Sequence, residues 1–233
     1  MKNNYLVATV KSWNIKNFYK LKKEDKKNNW YIITDKKDLN YEKINKINPE
    51  YIFFPHWSWI IPEEIYNNFK CIVFHMTDLP FGRGGSPLQN LISRGIYKTK
   101  VCAIKVVKEL DAGDIYLKKN LNLKDGSAKE IFKKASDITF SMIKETIEKN
   151  PILKKQEGKV VKFKRRTPDE SRIPEERDLR KIYDWIRMLD AEGYPPAFIE
   201  TKELTLEFNK AKFKEGYVKA NVKIKKRADK DEK

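Results

Sequence analysis

The most informative stretch of this sequence is CIVFHMTDLPFGRGG, Cys71 to Gly85. Its first four residues, Cys71 to Phe74, form a short apolar run that is typical of a buried strand. The run stops at His75, and the Pro- and Gly-containing residues that follow cannot continue a strand or a helix. In open α/β sheets, ligands bind outside the carboxyl ends of strands, so a titratable side chain at this place is a candidate site residue.

A second loop, ELDAGD from Glu109 to Asp114, is predicted to complete the site. Between the two loops the sequence predicts a helix over Ser86 to Arg94 and a β-branched strand over Val101 to Val107. That strand would carry the chain back beside the first strand. The two loops could then meet.

The two loops together resemble the motif of the folate-dependent formyltransferases. This family includes enzymes that formylate methionyl-tRNA, glycinamide ribonucleotide and nucleotide-linked amino sugars. Order and spacing together make the resemblance specific, and we place it over residues 1 to about 200. The segment FHMTDLPFGRGGSPLQNLI most resembles the sequences of the subgroup that formylates the 4-amino group of nucleotide-linked dideoxy sugars. The residues that carry the resemblance are His75, Leu79-Pro80, Arg83-Gly84, Pro87 and Asp111-Ala-Gly-Asp114.

The resemblance implies an α/β fold, with a Rossmann-like formyltransferase sheet and flanking helices, followed by a helix and a small C-terminal β unit. We expect a catalytic domain over 1–164, a linker, helix and β subdomain over 165–224, and a charged, disordered tail over 225–233. The remaining pattern predicts strands at Tyr5 to Val10, Trp30 to Thr34, Tyr51 to Pro55, Ala197 to Ile199, Leu204 to Phe208 and Val218 to Ile224, and amphipathic helices over Ser127 to Ile147 and Glu175 to Leu189.

The reaction implied by the resemblance moves the formyl group of 10-formyltetrahydrofolate to the amine of a UDP- or dTDP-linked 4-amino-4,6-dideoxy sugar, a step of polysaccharide biosynthesis. No metal or redox cofactor is expected. The alternatives are formylation of an aminoacyl carrier, glycinamide ribonucleotide or Met-tRNA, or a non-catalytic protein that binds folate, nucleotide or RNA.

His75 and Asp111 are expected to share the acid–base and oxyanion roles that acyl transfer to an amine requires. The family usually has an asparagine two positions before the histidine, whereas this sequence has Val73. Thr77, a backbone N–H of the loop, an ordered water or His56 could take over that role.

The loop and the D-x-G turn are expected to bind folate, because glycines let backbone groups approach a flat pterin closely. The expected cofactor residues are Leu79, Pro80, Phe81, Arg83, Gly84, Leu110, Gly113 and Asp114, although Asp114 could instead stabilise the turn.

Candidate substrate residues are Trp13, His56, Trp57 and Arg166. Trp13 and Trp57 could line a ligand or belong to the core. His56 is either a structural histidine or a neighbour of His75. Arg166 could contact phosphate or lie in an exposed linker.

The formal net charge of +17 would suit a polyanionic partner, but lysine is abundant throughout the sequence. The residues after Ala197 are also few for a large RNA-binding β-barrel, so we expect a small acceptor and no nucleic acid partner. Cys71 and Cys102 lie in apolar runs and are expected to be buried thiols in a reducing cytoplasm. No apolar stretch approaches the ~20 residues of a membrane helix, so no membrane partner is expected. The resemblance is compatible with a homodimer.

Overall fold

The computed structural model of this chain describes residues 2–227. Its contacts group the chain into two units that interleave in sequence. The first unit contains the residues up to Gly84, Thr99–Leu121 and Phe132–Phe163, and the second contains Gly85–Lys98, Asn122–Ile131 and the described residues from Lys164 onward. The expected division into domains 1–164 and 165–224 stays a prediction.

The elements follow in the order in which the chain forms them. The strands are β1 (Asn4–Ala8), β2 (Asn29–Ile33), β3 (Tyr51–Pro55), β4 (Cys71–His75), β5 (Phe81–Gly84), β6 (Lys98–Lys105), β7 (Ile115–Asn122), β8 (Val161–Phe163), β9 (Ala197–Glu200), β10 (Leu204–Lys214) and β11 (Tyr217–Lys226). The α-helices are α1 (Ser12–Glu24), α2 (Tyr41–Ile47), α3 (Glu63–Asn68), α4 (Pro87–Ile92), α5 (Ala128–Lys149) and α6 (Leu179–Arg187), with short 3₁₀ turns at Lys36–Asp38 and Pro168–Ser171.

A six-stranded sheet of order β2-β1-β3-β4-β6-β7 forms the centre of the first unit as far as the structure describes it. β1 pairs in parallel with β2 and β3, and β3 pairs in parallel with β4. All five residues of β3 are buried, as expected for a central parallel strand covered on both faces. The predicted α/β fold class, with its C-terminal helix and small β unit, is confirmed.

β6 runs antiparallel to β4, which pairs His75 with Cys102 and Ile72 with Lys105. The chain therefore leaves β6 at the level of Ile72, about 10 Å along β4 from His75 at ordinary strand rise. The turn that contains Asp111 thus starts at the opposite end of β4 from His75 and must run back toward it.

Two apolar clusters hold β4 in place. One contains Leu6, Ile52 and Phe54 with residues of α2 and α3, and the other contains Leu79, Cys102, Ile104 and Ile115. Val73 packs against both clusters. The position where the family usually has asparagine is therefore part of the hydrophobic core in this chain.

A buried polar group ties α1 to the carboxyl ends of β1 and β3. Thr9 Oγ1 donates to the Pro55 carbonyl at 2.8 Å, and Asn14 Nδ2 donates to Thr9 Oγ1 at 3.0 Å and to the same carbonyl at 3.1 Å. In doubly wound sheets this crevice is where a ligand commonly binds. Here the side chain of Asn14 bonds to both strand ends.

The second unit contains a three-stranded antiparallel sheet of order β11-β10-β9. Helix α6 packs on β10, with the rings of Tyr183 and Phe213 5.8 Å apart. Inside α6 the buried Arg187 donates from Nε to Asp184 at 2.6 Å, and its Nη1 donates to the Gly126 carbonyl.

The structure moves several predicted boundaries. The helix expected from Glu175 begins at Leu179, and the last two strands form one longer hairpin, because their alternation continues past the predicted ends. Lys225 and Lys226 belong to β11, so the expected tail cannot begin at 225. The rest of that expectation, 228–233, lies outside the described residues. None of the helices in the described part of the chain has the length and apolarity that a membrane crossing requires.

Asn14→Ala should lower the free energy of unfolding by about 1–3 kcal/mol, because it removes a buried hydrogen-bonding side chain. Asn17→Ala is the matched control on the same helix, since Asn17 bonds to Ser136 and Asp137 at a more exposed position. Urea unfolding of both variants measures the difference. Equal losses would show that the Asn14 contacts contribute nothing specific.

Candidate functional site

His75 ends β4 and is buried, with 7% of its surface exposed. Its Nε2 lies 2.7 Å from the carbonyl oxygen of Gly82, and its Nδ1 lies 3.5 Å from Oδ2 of Asp111. The structure therefore brings together the histidine and the aspartate that the sequence singled out.

Both neighbours of the His75 ring are hydrogen-bond acceptors. A neutral imidazole carries one N–H and can donate to only one of them, whereas the doubly protonated ring donates from both nitrogens. One ring nitrogen therefore faces the Gly82 carbonyl and the other faces the carboxylate of Asp111.

Asp111 is held from the side of the loop as well. Its Oδ2 accepts a hydrogen bond from the backbone N–H of Gly84 at 2.9 Å. Within the described residues Oδ1 accepts no such bond. Oδ2 thus holds the site together, and the side chain of Asp111 is only 8% exposed.

The loop after β4 is anchored to its surroundings at several points. Thr77 is fully buried, and its hydroxyl lies 3.4 Å from the Gly82 carbonyl. The thiol of Cys102 donates to the Thr77 carbonyl at 3.0 Å, and burial raises the pKa of this thiol to about 11. Lys118 donates to the Leu79 carbonyl at 2.6 Å. The loop is therefore a fixed part of the first unit.

Asp78 adds an ion pair at the base of this loop. Its carboxylate lies 2.6 Å from Lys118 Nζ and 3.0 Å from Lys100 Nζ. Partial burial alone would raise the pKa of Asp78, but the hydrogen bonds from these lysines lower it below its usual range. Asp78 therefore stays ionised and contributes to holding the loop.

Two glycines allow the close approach of backbone segments in the site. Gly84 has φ +106°, and a Cβ there would lie 2.4 Å from the Phe163 carbonyl oxygen. A Cβ on Gly113 would lie 1.7 Å from the Lys105 carbonyl oxygen. No other residue fits either position without a backbone shift, so these glycines serve packing between chain segments.

Gln156 is a site residue that the sequence reasoning missed. Its Oε1 accepts from Arg83 Nε at 3.1 Å and Nη2 at 2.9 Å, and its Nε2 donates to the carbonyls of Asp111 and Gly113, both at 2.8 Å. The side chain joins the loop to the turn. It lies in the lysine-rich stretch LKKQEGK, where no local pattern marks it.

The other predicted cofactor residues divide into buried and accessible groups. Leu79 is buried and precedes Pro80 through a cis peptide, and the ring of Phe81 packs edge-on against Phe163. Asp114 bonds through its backbone carbonyl to the Lys105 N–H. Leu110 is 58% exposed. Of this set, Leu110 therefore offers an open apolar surface beside Asp111.

Arg83 is predicted to contact the cofactor, but its guanidinium already has partners. Besides Gln156 it lies 3.5 Å from Glu109 Oε1, and its side chain is only 12% exposed. In this structure Arg83 ties the loop to its neighbours.

Trp13 and His56 form an aromatic cluster at the carboxyl ends of β1 and β3. The Trp13 ring stacks on Phe132 at 5.5 Å, and His56 lies 4.7 Å from the same ring. Trp13 is 6% exposed, which favours its core alternative. Burial and the nearby Lys11 lower the pKa of His56 to about 3, so its ring is neutral at ordinary pH.

Trp57 and Arg166 lie in different units. Trp57 packs edge-on against Phe54 and Trp59 in the first unit, and its indole N–H is buried without a partner. In the second unit Arg166 lies 5.0 Å over the Trp185 ring and donates to the Glu170 carbonyl. Both contacts are structural, and whether either residue touches a substrate stays a prediction.

Metal ligands and cavities add no second site. Among residues 2–227 there is no group of three or more His, Cys, Asp or Glu side chains that could hold a metal ion. A cavity of about 490 Å³ is lined by residues of α1 and α5, where Lys144 pairs with Glu24. It contains none of the predicted site residues.

Family models match both parts of the chain. The model described as "Formyl transferase" matches residues 15–147, and the one described as "Methionyl-tRNA formyltransferase, C-terminal domain" matches residues 168–225. Methionyl-tRNA formyltransferase of Sulfurihydrogenibium sp. (strain YO3AOP1) is 32% identical over 182 residues, which cover 75% of this chain and 58% of that protein. The chain spans little more than half the length of the curated relatives it matches, 54% and 58% in two cases.

Solved structures sharpen this comparison. The structure of methionyl-tRNA formyltransferase from Clostridium thermocellum is similar with a TM-score of 0.94 and 58% identity, covering 97% of this chain and 100% of that one. A 4-N formyltransferase from Francisella tularensis matches with a TM-score of 0.68 and 15% identity, covering 86% of this chain and 93% of that one. The second likeness shows a common fold only.

These comparisons correct two expectations. The predicted acceptor, a nucleotide-linked amino sugar, is wrong, because the extensive identity is to methionyl-tRNA formyltransferase. The expectation that nucleic acid is not a partner is wrong for the same reason. It rested on the small size of the C-terminal β unit, yet residues 168–225 match the C-terminal domain of methionyl-tRNA formyltransferases.

The neutral His56 should make stability depend on pH. The unfolded chain binds a proton at His56 near pH 6.5, whereas the folded chain does so only near pH 3, so this residue reduces stability as pH falls through that window. The loss reaches at most about 1.4 kcal/mol per pH unit. His56→Asn removes the titration and tolerates the positive φ of 52°.

Urea unfolding at pH 7 and pH 5 measures this effect in the two proteins. The wild-type chain should lose more stability than the variant on going to pH 5. Equal losses would show that His56 titrates alike in the folded and unfolded chains.

Proposed function

Because this chain belongs to the formyl transferase family, we propose that it transfers the formyl group of 10-formyltetrahydrofolate to the amino group of methionyl-tRNA. The observation that best supports methionyl-tRNA as the acceptor is the 58% identity, over 97% of the chain, to a methionyl-tRNA formyltransferase structure. The match of residues 168–225 to the C-terminal domain of such enzymes supports it.

The site has the groups that formyl transfer needs. 10-formyltetrahydrofolate supplies an activated formyl carbon that an amine can attack. Leu110, the residue before Asp111, offers an exposed apolar surface for a planar ring, and Oδ1 of Asp111 accepts no hydrogen bond from the described residues. The residues in hand therefore fit a folate that is bound beside the carboxylate.

His75 and Asp111 divide the chemistry. The protonated imidazole of His75 donates a hydrogen bond to the oxygen on which negative charge develops, a role that Val73 cannot fill. Asp111 would accept through Oδ1 the proton that the attacking amine loses, and this proton would pass to the folate nitrogen whose bond to the formyl carbon breaks. Because His75 Nε2 bonds to the Gly82 carbonyl, that contact must lengthen when a substrate oxygen takes its place.

The β10–β11 hairpin has the surface chemistry of an RNA contact. From Leu204 to Lys226 it carries seven lysines, all exposed, against two glutamates. Near the turn, pairing places Lys212 opposite Lys219 and Lys214 opposite Tyr217, so these four residues share one face. We call this face the Tyr217 patch. Tyr217 is 55% exposed, and an aromatic ring among cations suits a phosphate backbone and its bases.

Formyl transfer tests both the function and the site. The wild-type chain should form N-formylmethionyl-tRNA from 10-formyltetrahydrofolate and methionyl-tRNA, measured after hydrolysis of the ester. Asp111→Asn keeps the side-chain shape but removes the proton acceptor, so turnover should fall about 10²- to 10⁴-fold. Asp38→Asn, at an exposed ion pair with Lys43, is the control.

Two results would contradict these assignments. Formylation of glycinamide ribonucleotide or an aminoacyl carrier, with none of methionyl-tRNA, would overturn the acceptor. Normal turnover by Asp111→Asn would overturn its role as proton acceptor.

The Tyr217 patch gives a separate prediction for RNA binding. Replacing Lys212, Lys214 and Lys219 with glutamine should weaken binding of methionyl-tRNA. The slope of log affinity against log salt concentration should become shallower by roughly two to three, because fewer counterions are released on binding. The control replaces Lys22, Lys26 and Lys27, which are exposed in the first unit and change the net charge equally. The measurement is the affinity for methionyl-tRNA at several salt concentrations. Equal slopes of log affinity against log salt in the two triple variants would exclude the Tyr217 patch as the RNA contact.

A further inference from the structure

Gln156 uses the whole hydrogen-bonding capacity of its amide. Its oxygen accepts two bonds from Arg83, and its nitrogen donates one bond each to the carbonyls of Asp111 and Gly113. Arginine only donates and backbone carbonyls only accept, so the orientation of the amide is unambiguous. The side chain is a two-sided link between the loop and the turn.

The sheet holds this turn at its end, where the Asp114 carbonyl accepts from the Lys105 N–H, and the residues before Asp114 depend on other links. β6 ends at the level of Ile72, and Asp111 must return toward His75 from there. Asp111 also has φ +55°, a left-handed conformation that costs an L-residue about 1–2 kcal/mol. The two carbonyls that Gln156 binds belong to this strained residue itself and to Gly113, two residues later.

The loop side of the link is held independently of Gln156. β5 pairs with β8, and Lys118 bonds to the Leu79 carbonyl. A loss of Gln156 would therefore leave the loop in place and release chiefly the turn.

We propose that Gln156 is a positioning residue, which fixes the Asp111 carboxylate against His75 by holding the two carbonyls of the turn. The proposal rests on the catalytic roles proposed for His75 and Asp111. Gln156 itself touches neither reacting group. Its effect on formyl transfer passes through the position of Asp111.

Two substitutions separate the two sides of the link. Gln156→Glu keeps an acceptor for Arg83 and strengthens it by charge, but turns an oxygen toward two carbonyl oxygens. Gln156→Met removes both sides. If Gln156 mattered only as a partner of Arg83, Gln156→Glu would be harmless. The control is Glu157→Gln, the adjacent exposed residue.

The two histidines of the chain give a readout that a merely structural role would not move. In protein labelled with ¹⁵N at histidine, the ring signals belong to His56 and His75, and His56→Asn assigns them. Displacement of Asp111 changes the hydrogen bonding of the His75 ring and leaves His56, which packs on Phe132, as an internal control.

The expected result is a shift of the His75 signals alone in both Gln156 variants. Turnover should fall about 10- to 10²-fold, the scale of a displacement near 1 Å, with no fall in the control. Unmoved His75 signals, or turnover of Gln156→Glu within twofold of wild type, would overturn the proposal. If Gln156→Glu does not fold, the same two measurements, the His75 ring resonances and turnover, are made on Gln156→Met.

This experiment also separates the two proposals. If the wild-type chain formylates no methionyl-tRNA, the proposed function fails, while the His75 signals still report on Gln156. If formylation is present and the His75 signals do not move, only the positioning role fails.

Discussion

A single carboxylate oxygen, Oδ2 of Asp111, is the point on which the site depends. It accepts the N–H of Gly84 and faces Nδ1 of His75, and so joins three segments of the first unit. The geometry carries a cost, because Asp111 is left-handed and its turn starts at the far end of β4. A hydrogen bond to a charged group contributes about 1.5–3 kcal/mol and a neutral one about 1 kcal/mol. The bonds of Gly84 and Gln156 together are therefore sufficient to offset the 1–2 kcal/mol of backbone strain.

The sequence could reveal His75 and the loop because their signals are local. An apolar run, a histidine and a Pro/Gly segment follow one another within a few residues, and such a local pattern can be recognised without knowledge of the fold. Gln156 could not be found in this way. Its partners lie 45 and 73 residues away, and a glutamine among lysines has no periodicity to mark it. The direction of β6 was equally hidden, since a β-branched run predicts a strand but not its orientation. The end of β11 was predicted too early because the sequence from Lys225 onward is charged with almost no apolar residue, whereas the partner strand β10 continues the ladder to Lys226.

The error in the acceptor has a physical origin as well. The sequence reasoning judged RNA binding by the size of the C-terminal part, as if a polyanion required a large domain. Phosphate recognition depends instead on cations displayed on a surface, and a two-stranded hairpin displays alternate side chains on each face. Seven exposed lysines on β10 and β11 provide such a surface. The overall charge of +17 was too evenly spread to show this, because only strand pairing brings Lys212, Lys214 and Lys219 beside Tyr217.

The chain's two histidines show how neighbouring strand ends acquire different chemistry. Pro55 pairs with Phe74 in the parallel ladder, so His56 and His75 follow at the same edge of the sheet. His56 lies among the rings of Trp13 and Phe132 with Lys11 nearby, and these surroundings hold its pKa at about 3. His75 has a carboxylate and a carbonyl oxygen at its two nitrogens. Burial and Lys11 therefore keep the His56 ring neutral, whereas the ring of His75 faces the carboxylate of Asp111. Trp13 and His56 pack at the sheet edge, while Asp111, brought from the opposite end of β4, lies beside His75, the histidine to which we assign the reaction in our proposal.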